Sequence, residues 1–164
     1  MVKKSPINLK DLERYYDLNH EKEDFPDHLL NQLPDGEFEN ANTWLIKRYL
    51  ENGNRLPANI EMRILDLLPH LSGWEAKLHL LQILPYIVIP KSRSATIRKI
   101  LLALIKENNK FIRAWAYNGL YHLQLCHPEY KTEMISLLNK AYDNEAPSVR
   151  ARIRNMLGDD EWLS

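Results

Sequence analysis

Apolar residues recur along this chain at a fixed step of 37: Ile60 and Ile64 return as Ile97 and Leu101, and again as Met134 and Leu138. A second series keeps the same step, Ile112-Arg113 returning as Val149-Arg150, and Trp74 stands 38 residues before Ile112. Generic amphipathicity gives no reason for loop and helix lengths to stay constant, so the recurrence marks a structural unit used several times over. A unit of that length cannot cover its own apolar stripe, and its neighbours must do so.

Within each copy the paired apolar residues lie four apart, the spacing of one helix face. Five Gly and nine Pro in 164 residues place breaks between helices rather than within them. The pattern predicts helices over about 38–52, 57–71, 74–86, 92–108, 111–124, 128–142 and 147–157, each edged by Gly, Pro or Asn. Ser72 is expected to cap the third, and Pro128 and Pro147 stand near the first helical position, where a missing N–H costs nothing. Seven helices make about three and a half hairpins of an all-α fold, filling residues 37–164. Residues 1–36 read as an N-terminal lead-in or cap: Asn8 caps a short helix bearing Leu9, Leu12, Tyr15 and Tyr16, an acidic stretch follows, and Pro34-Asp35-Gly36 closes the segment with a turn.

Phe111-Ile112-Arg113-Ala114-Trp115-Ala116 followed by Leu120, and Pro147-Ser148-Val149-Arg150 followed by Ile153 and Leu157, resemble the opening helices of HEAT repeats. Those helices run Pro, any residue, Val-Arg, then small and apolar residues. The resemblance implies an armadillo-type, right-handed α-α superhelix. It also implies that Arg113 and Arg150 bridge neighbouring repeats by meeting a carboxylate or a carbonyl. Trp74-Glu75 stands where an earlier copy would carry an apolar residue and Arg, and Glu75 is placed to supply the opposite charge.

Cys126 is the only cysteine, which precludes an internal disulfide and suits a reducing, cytoplasmic compartment. No apolar run approaches the roughly 20 residues that span a bilayer. The sequence carries no Gly-rich phosphate loop, Gly-x-Ser-x-Gly elbow or His-Glu-x-x-His, and a non-catalytic chain without cofactor is expected. His122, Cys126 and His127 cluster, but a structural zinc site needs four ligands and no second cysteine completes one, so no metal is expected. Trp44, Trp74 and Trp115 share helical spacing with Leu and Ile and are read as core or inter-repeat packing, with Trp162 and Leu163 covering the last hairpin.

In such a superhelix the second helix of each hairpin lines the concave face. Turning Ile97, Leu101 and Leu104 inward leaves Thr96, Lys99, Ala103 and Lys106 outward, and the repeat step carries the first three to Asn59, Met62 and Asp66 and to Glu133, Ser136 and Lys140. Leaving out Ala103, these nine residues are the expected partner-binding set. They alternate in sign, and the chain as a whole has zero net charge. A groove for duplex nucleic acid would be consistently basic, because affinity comes from neutralising several phosphates together. The expectation is therefore a scaffold or adaptor that binds a protein partner, with self-association through an uncapped end also open to it.

The alternative is a nucleic-acid-binding protein resembling the HEAT-like glycosylases that excise alkylated bases. That resemblance would use Trp115 as the aromatic platform and Arg154 as the phosphate ligand. Gly119 stands where the carboxylate would be required. Arg93, Arg98, Lys99, Arg150, Arg152 and Arg154 form the stripe a phosphate backbone would need, and they are read instead as a solvated helix face.

Overall fold

The computed structural model describes residues 8–158. Among these residues there are nine α-helices and no strand: α1 Leu9–Asn19, α2 Phe25–Asn31, α3 Glu39–Glu51, α4 Ala58–Leu67, α5 Trp74–Ile83, α6 Lys91–Leu104, α7 Lys110–Cys126, α8 Lys131–Asn144 and α9 Pro147–Leu157. The all-α expectation holds, and the seven expected helices lie where the Pro, Gly and Asn breaks put them. Trp162 and Leu163 lie outside the described residues. No helix among the described residues is long and apolar enough to cross a membrane.

Local chemistry sets the boundaries. Asn8 accepts from the Asp11 N–H at 3.0 Å and caps α1, and Asn109 accepts from the Phe111 and Ile112 N–H groups at 2.9 and 3.4 Å at the start of α7. Helices α4 and α5 each run into a short 3-10 turn at a Leu-Pro step, Leu68–His70 and Leu84–Tyr86. Gly53 closes α3 with φ 86°, a left-handed conformation that side-chain-bearing residues rarely adopt. One expected cap differs. Ser72 does not cap α5: the buried Glu39 carboxylate of α3 reaches across, accepting from the Ser72 and Gly73 N–H groups at 2.9 and 2.7 Å and from the Ser72 hydroxyl at 3.1 Å. A neighbouring helix thus satisfies the donors that open α5, and anionic charge is favourable at that end.

The odd-numbered helices pack one on the next, α3 on α5, α5 on α7 and α7 on α9, and α6 packs closely on α7. The anchors of the recurrence occupy matching places. Ile60, Ile97 and Met134 are buried in α4, α6 and α8, as are Ile64, Leu101 and Leu138 one turn on. A further column at the same step, Ile46, Ile83, Leu120 and Leu157, runs through α3, α5, α7 and α9, and every member is buried.

Tertiary polar contacts fall at about the repeat length. The side chains of Tyr16 and Asn52 and of Thr43 and His79 meet across 36 residues, and Arg98 meets Glu133 across 35. Each unit therefore touches the next at equivalent positions. The described part of the N-terminal segment takes part in the same way: α1 packs on α3, α2 packs on α3 and α4, and Arg63 of α4 pairs with Asp27 and donates to Asn31 at 2.6 Å.

The two rows are held differently. Helices α4, α6 and α8 approach one another far less closely than the odd row does. They are spanned by long side chains, Arg93 of α6 on Asp66 of α4 at 2.7 Å and Arg98 of α6 on Glu133 of α8. In the odd row, Thr43, Ala76 and Ala116 are fully buried, and such small side chains let helix backbones come together.

Candidate interaction face

Two grooves open on the face of the odd-numbered helices. The first, of about 440 Å³, lies across α1, α3 and α5 and includes Leu9, Leu12, Trp44, Glu75 and His79. His79 shares a hydrogen bond with the Thr43 hydroxyl at 3.0 Å. Burial, with the nearby Lys47 ammonium adding to it, pushes its pKa down to about 4, so the ring is neutral at pH 7. Glu75 accepts from the Asn40 amide at 3.2 Å. This groove is apolar with an acidic rim.

The second groove, of about 420 Å³, lies across α5, α7 and α9. Tyr86 and Leu125 stand on its rim, 50% and 58% exposed, and Trp115, Tyr121 and Met156 are half-buried within it. Arg152 of α9 reaches over the Trp115 ring of α7, its guanidinium carbon 3.6 Å from the ring centroid. Its Nη2 donates to the Asn118 Oδ1 at 3.3 Å, and its buried Nε has no acceptor. Burial pulls its pKa below the usual arginine value. Positions 115 and 152 are themselves one repeat step of 37 apart, so the pair is another contact between equivalent places.

Several expected placements change. Trp44 and Trp115 pack against the core as expected and also line the two grooves, whereas Trp74 at the start of α5 is 47% exposed. The arginine that meets Trp115 is Arg152, whereas Arg154 points to solvent. Gly119 faces inward: a Cβ there would lie 2.8 Å from a Leu101 methyl and 3.0 Å from a Leu84 methyl. Position 119 therefore abuts packed leucines rather than the groove, and a carboxylate there would be thrust into them.

The nine residues predicted for partner binding lie along the even row. Asn59, Thr96, Lys99, Lys106, Ser136 and Lys140 are exposed, Lys106 just beyond the end of α6, and Met62 is half-buried. Asp66 is engaged by Arg93 and Glu133 by Arg98, so two of the nine are tied up between helices. The Arg98 guanidinium holds the Glu133 carboxyl below the usual carboxylate range. None of the nine lines either groove described above. The basic stripe is divided, since Arg93 and Arg98 face carboxylates and Arg152 lies on an indole.

The histidine-cysteine cluster is structural in its bonding. His122 Nε2 lies 2.9 Å from the Ile87 carbonyl and His127 Nε2 lies 2.7 Å from the Ile89 carbonyl, which requires both nitrogens to carry the proton. Cys126 Sγ is 3.6 Å from the same His122 nitrogen, which as a donor cannot take the thiol proton. No group of three or more His, Cys, Asp or Glu suited to a metal occurs among the described residues. Arg113 meets both a carboxylate and carbonyls: it pairs with Glu145 at 3.0 Å and donates to the Glu107 and Asn108 carbonyls at 2.9 and 3.0 Å. Glu75 has no part in that contact.

Compared with models of known families, with curated proteins and with solved structures, the chain matches none.

Proposed function

We propose that this chain is a HEAT-like helical-repeat scaffold that binds a protein partner along the face of its odd-numbered helices. The observation that carries the reading is the second groove, where exposed Tyr86 and Leu125 flank a half-buried Trp115 and a cation. Partly buried aromatic residues and arginine, ringed by polar groups, are the chemistry from which protein interfaces draw most of their energy. The even row, which the sequence pointed to, lines neither groove, and its Asp66 and Glu133 are engaged by arginines of the same row.

A nucleic-acid reading draws less support. Two arginines of the basic stripe are neutralised by carboxylates, and Glu75 lies in one groove and Glu51 in the other. The test is site-specific photo-crosslinking in cells that express the full chain. A crosslinker at Tyr86 is expected to trap a discrete polypeptide that Leu125→Glu abolishes, while one at Lys99 traps none. Trapping from Lys99 alone would place the partner on the even row and refute the assignment.

A further inference from the structure

Among the described residues, four arginines meet a carboxylate: Arg63 with Asp27, Arg93 with Asp66, Arg98 with Glu133 and Arg113 with Glu145. Arg152 meets none among the described residues, although it is half-buried in a groove wall. Its one hydrogen bond, to Asn118, is long at 3.3 Å, and its Nε has no acceptor. Glu51, the acidic residue on the same wall, is engaged by Lys47 at 3.4 Å. A partly desolvated guanidinium with unused donors is costly to leave alone, and an anionic oxygen is the acceptor that relieves it most.

Orientation narrows the ligand. The indole covers one face of the guanidinium, and the donors of a guanidinium lie in its plane, so an acceptor must approach edge-on. That geometry suits a carboxylate meeting two N–H groups side by side. Next to this edge, Tyr86, Leu125 and Met156 supply apolar surface that an anion alone would not use. A nucleic-acid backbone needs several phosphates neutralised together, whereas this groove supplies one cation and the companion groove is acidic. The fit is to a polypeptide.

We infer that the second groove is a receptor for a carboxylate-bearing segment of a partner protein. An Asp or Glu of that segment pairs edge-on with Arg152, and an adjacent aliphatic or aromatic side chain lies against Tyr86, Leu125 and Trp115. The inference rests on the docking reading above and adds the chemistry that would select the partner.

The experiment pans a phage-displayed library of random 12-residue peptides against the immobilised full chain, in parallel with its Arg152→Gln and Tyr86→Ala variants, each checked for native helicity. On the parent chain the enriched peptides carry Asp or Glu beside an aliphatic or aromatic residue. On Arg152→Gln the acidic preference disappears, and the best peptide, made synthetically, binds about 10- to 100-fold more weakly, as loss of one charge-assisted pair predicts. Tyr86→Ala weakens the apolar preference and leaves the acidic one, which keeps the test open should Arg152→Gln fail to fold. Enriched peptides without acidic preference, or with one that survives Arg152→Gln, overturn the carboxylate assignment while the docking reading stands. No enrichment at all overturns both. Arg152-dependent binding of a 20-base-pair DNA duplex overturns the assignment in favour of phosphate. An acidic preference that emerges only in the Asp159→Asn/Asp160→Asn/Glu161→Gln chain identifies the chain's own acidic residues as the occupant and overturns the external partner.

Discussion

Replacing Arg113 by Met removes the clamp that joins three segments around α7, and its cost can be worked from the structure. Arg113 Nε and Nη2 meet the Glu145 carboxylate at 3.0 Å each, and Nη1 meets the carbonyls of Glu107 and Asn108. Met keeps the length and apolar stem of the side chain, so packing changes little. The two carbonyls belong to exposed residues and turn to water, a loss of about 1 kcal/mol together. Glu145 is the larger cost.

The side chains of Arg113 and Glu145 are 18% and 13% exposed, so the pair is well shielded without being fully buried. Stranding a fully buried partner costs roughly 3–5 kcal/mol. Here the remaining exposure, and the Ala146 N–H at 3.2 Å from the carboxylate, reduce that to about 1–2 kcal/mol. The sum is about 2–3 kcal/mol. With a urea slope on the order of 2 kcal/mol per molar, the unfolding midpoint falls by about 1–1.5 M. Circular dichroism during urea titration of the parent, Arg113→Met, Glu145→Gln and the double variant closes a cycle whose coupling should be about 1–2 kcal/mol. A shift for Arg113→Met below about 0.5 kcal/mol, or coupling indistinguishable from zero, would refute the reasoning that this contact fastens the junction of α8 and α9 to α7.

Acid should weaken the fold through His79. Its folded pKa of about 4 lies below the unfolded 6.5, so its contribution is complete above pH 6.5 and is lost as pH falls from 6.5 through 4. At 1.36 kcal/mol per unit that amounts to at most about 3 kcal/mol, and a His79→Gln chain should lose correspondingly less stability than the parent across the window when urea midpoints are compared. Glu39→Ala strips the acceptor from the Ser72 and Gly73 N–H groups, and should lower stability by about 2 kcal/mol in urea unfolding, with faster amide exchange in the first turn of α5.

The helices were legible because their breaks are chemical. Pro57, Pro90 and Pro147 each sit at or beside a helix start, and the 37-residue step predicted burial of Ile60, Ile97 and Met134 in advance. The placement of the grooves was not legible, because helix spacing depends on the size of side chains at crossings scattered along the chain. Nothing local to Thr43, Ala76 or Ala116 announces that they are wholly buried in one row. Trp74 misled for a related reason. Helical spacing gives a face, and whether that face meets another helix or water depends on helices elsewhere in the sequence. Arg152 was within reach all the same, since adding the repeat step of 37 to Trp115 lands on it and on no other arginine of α9.

That coincidence of position carries the functional argument. In a stack of repeats, residues one step apart become neighbours, so the array creates contacts between side chains that are never close in sequence. Where both neighbours are apolar the result is core, as in the Ile46, Ile83, Leu120 and Leu157 column. Where a basic residue meets an acid the result is a rung between units, as at Arg98 and Glu133. At the end of the described array the same rule brings an arginine onto an indole and supplies no acid, so the charge that the other rungs neutralise internally is left facing the groove. The difference between a structural rung and a recognition site is then a single missing carboxylate. Placing one there by Asn118→Asp, beside the Arg152 Nη2, should close the site from within and abolish acidic-peptide binding while preserving the helical fold.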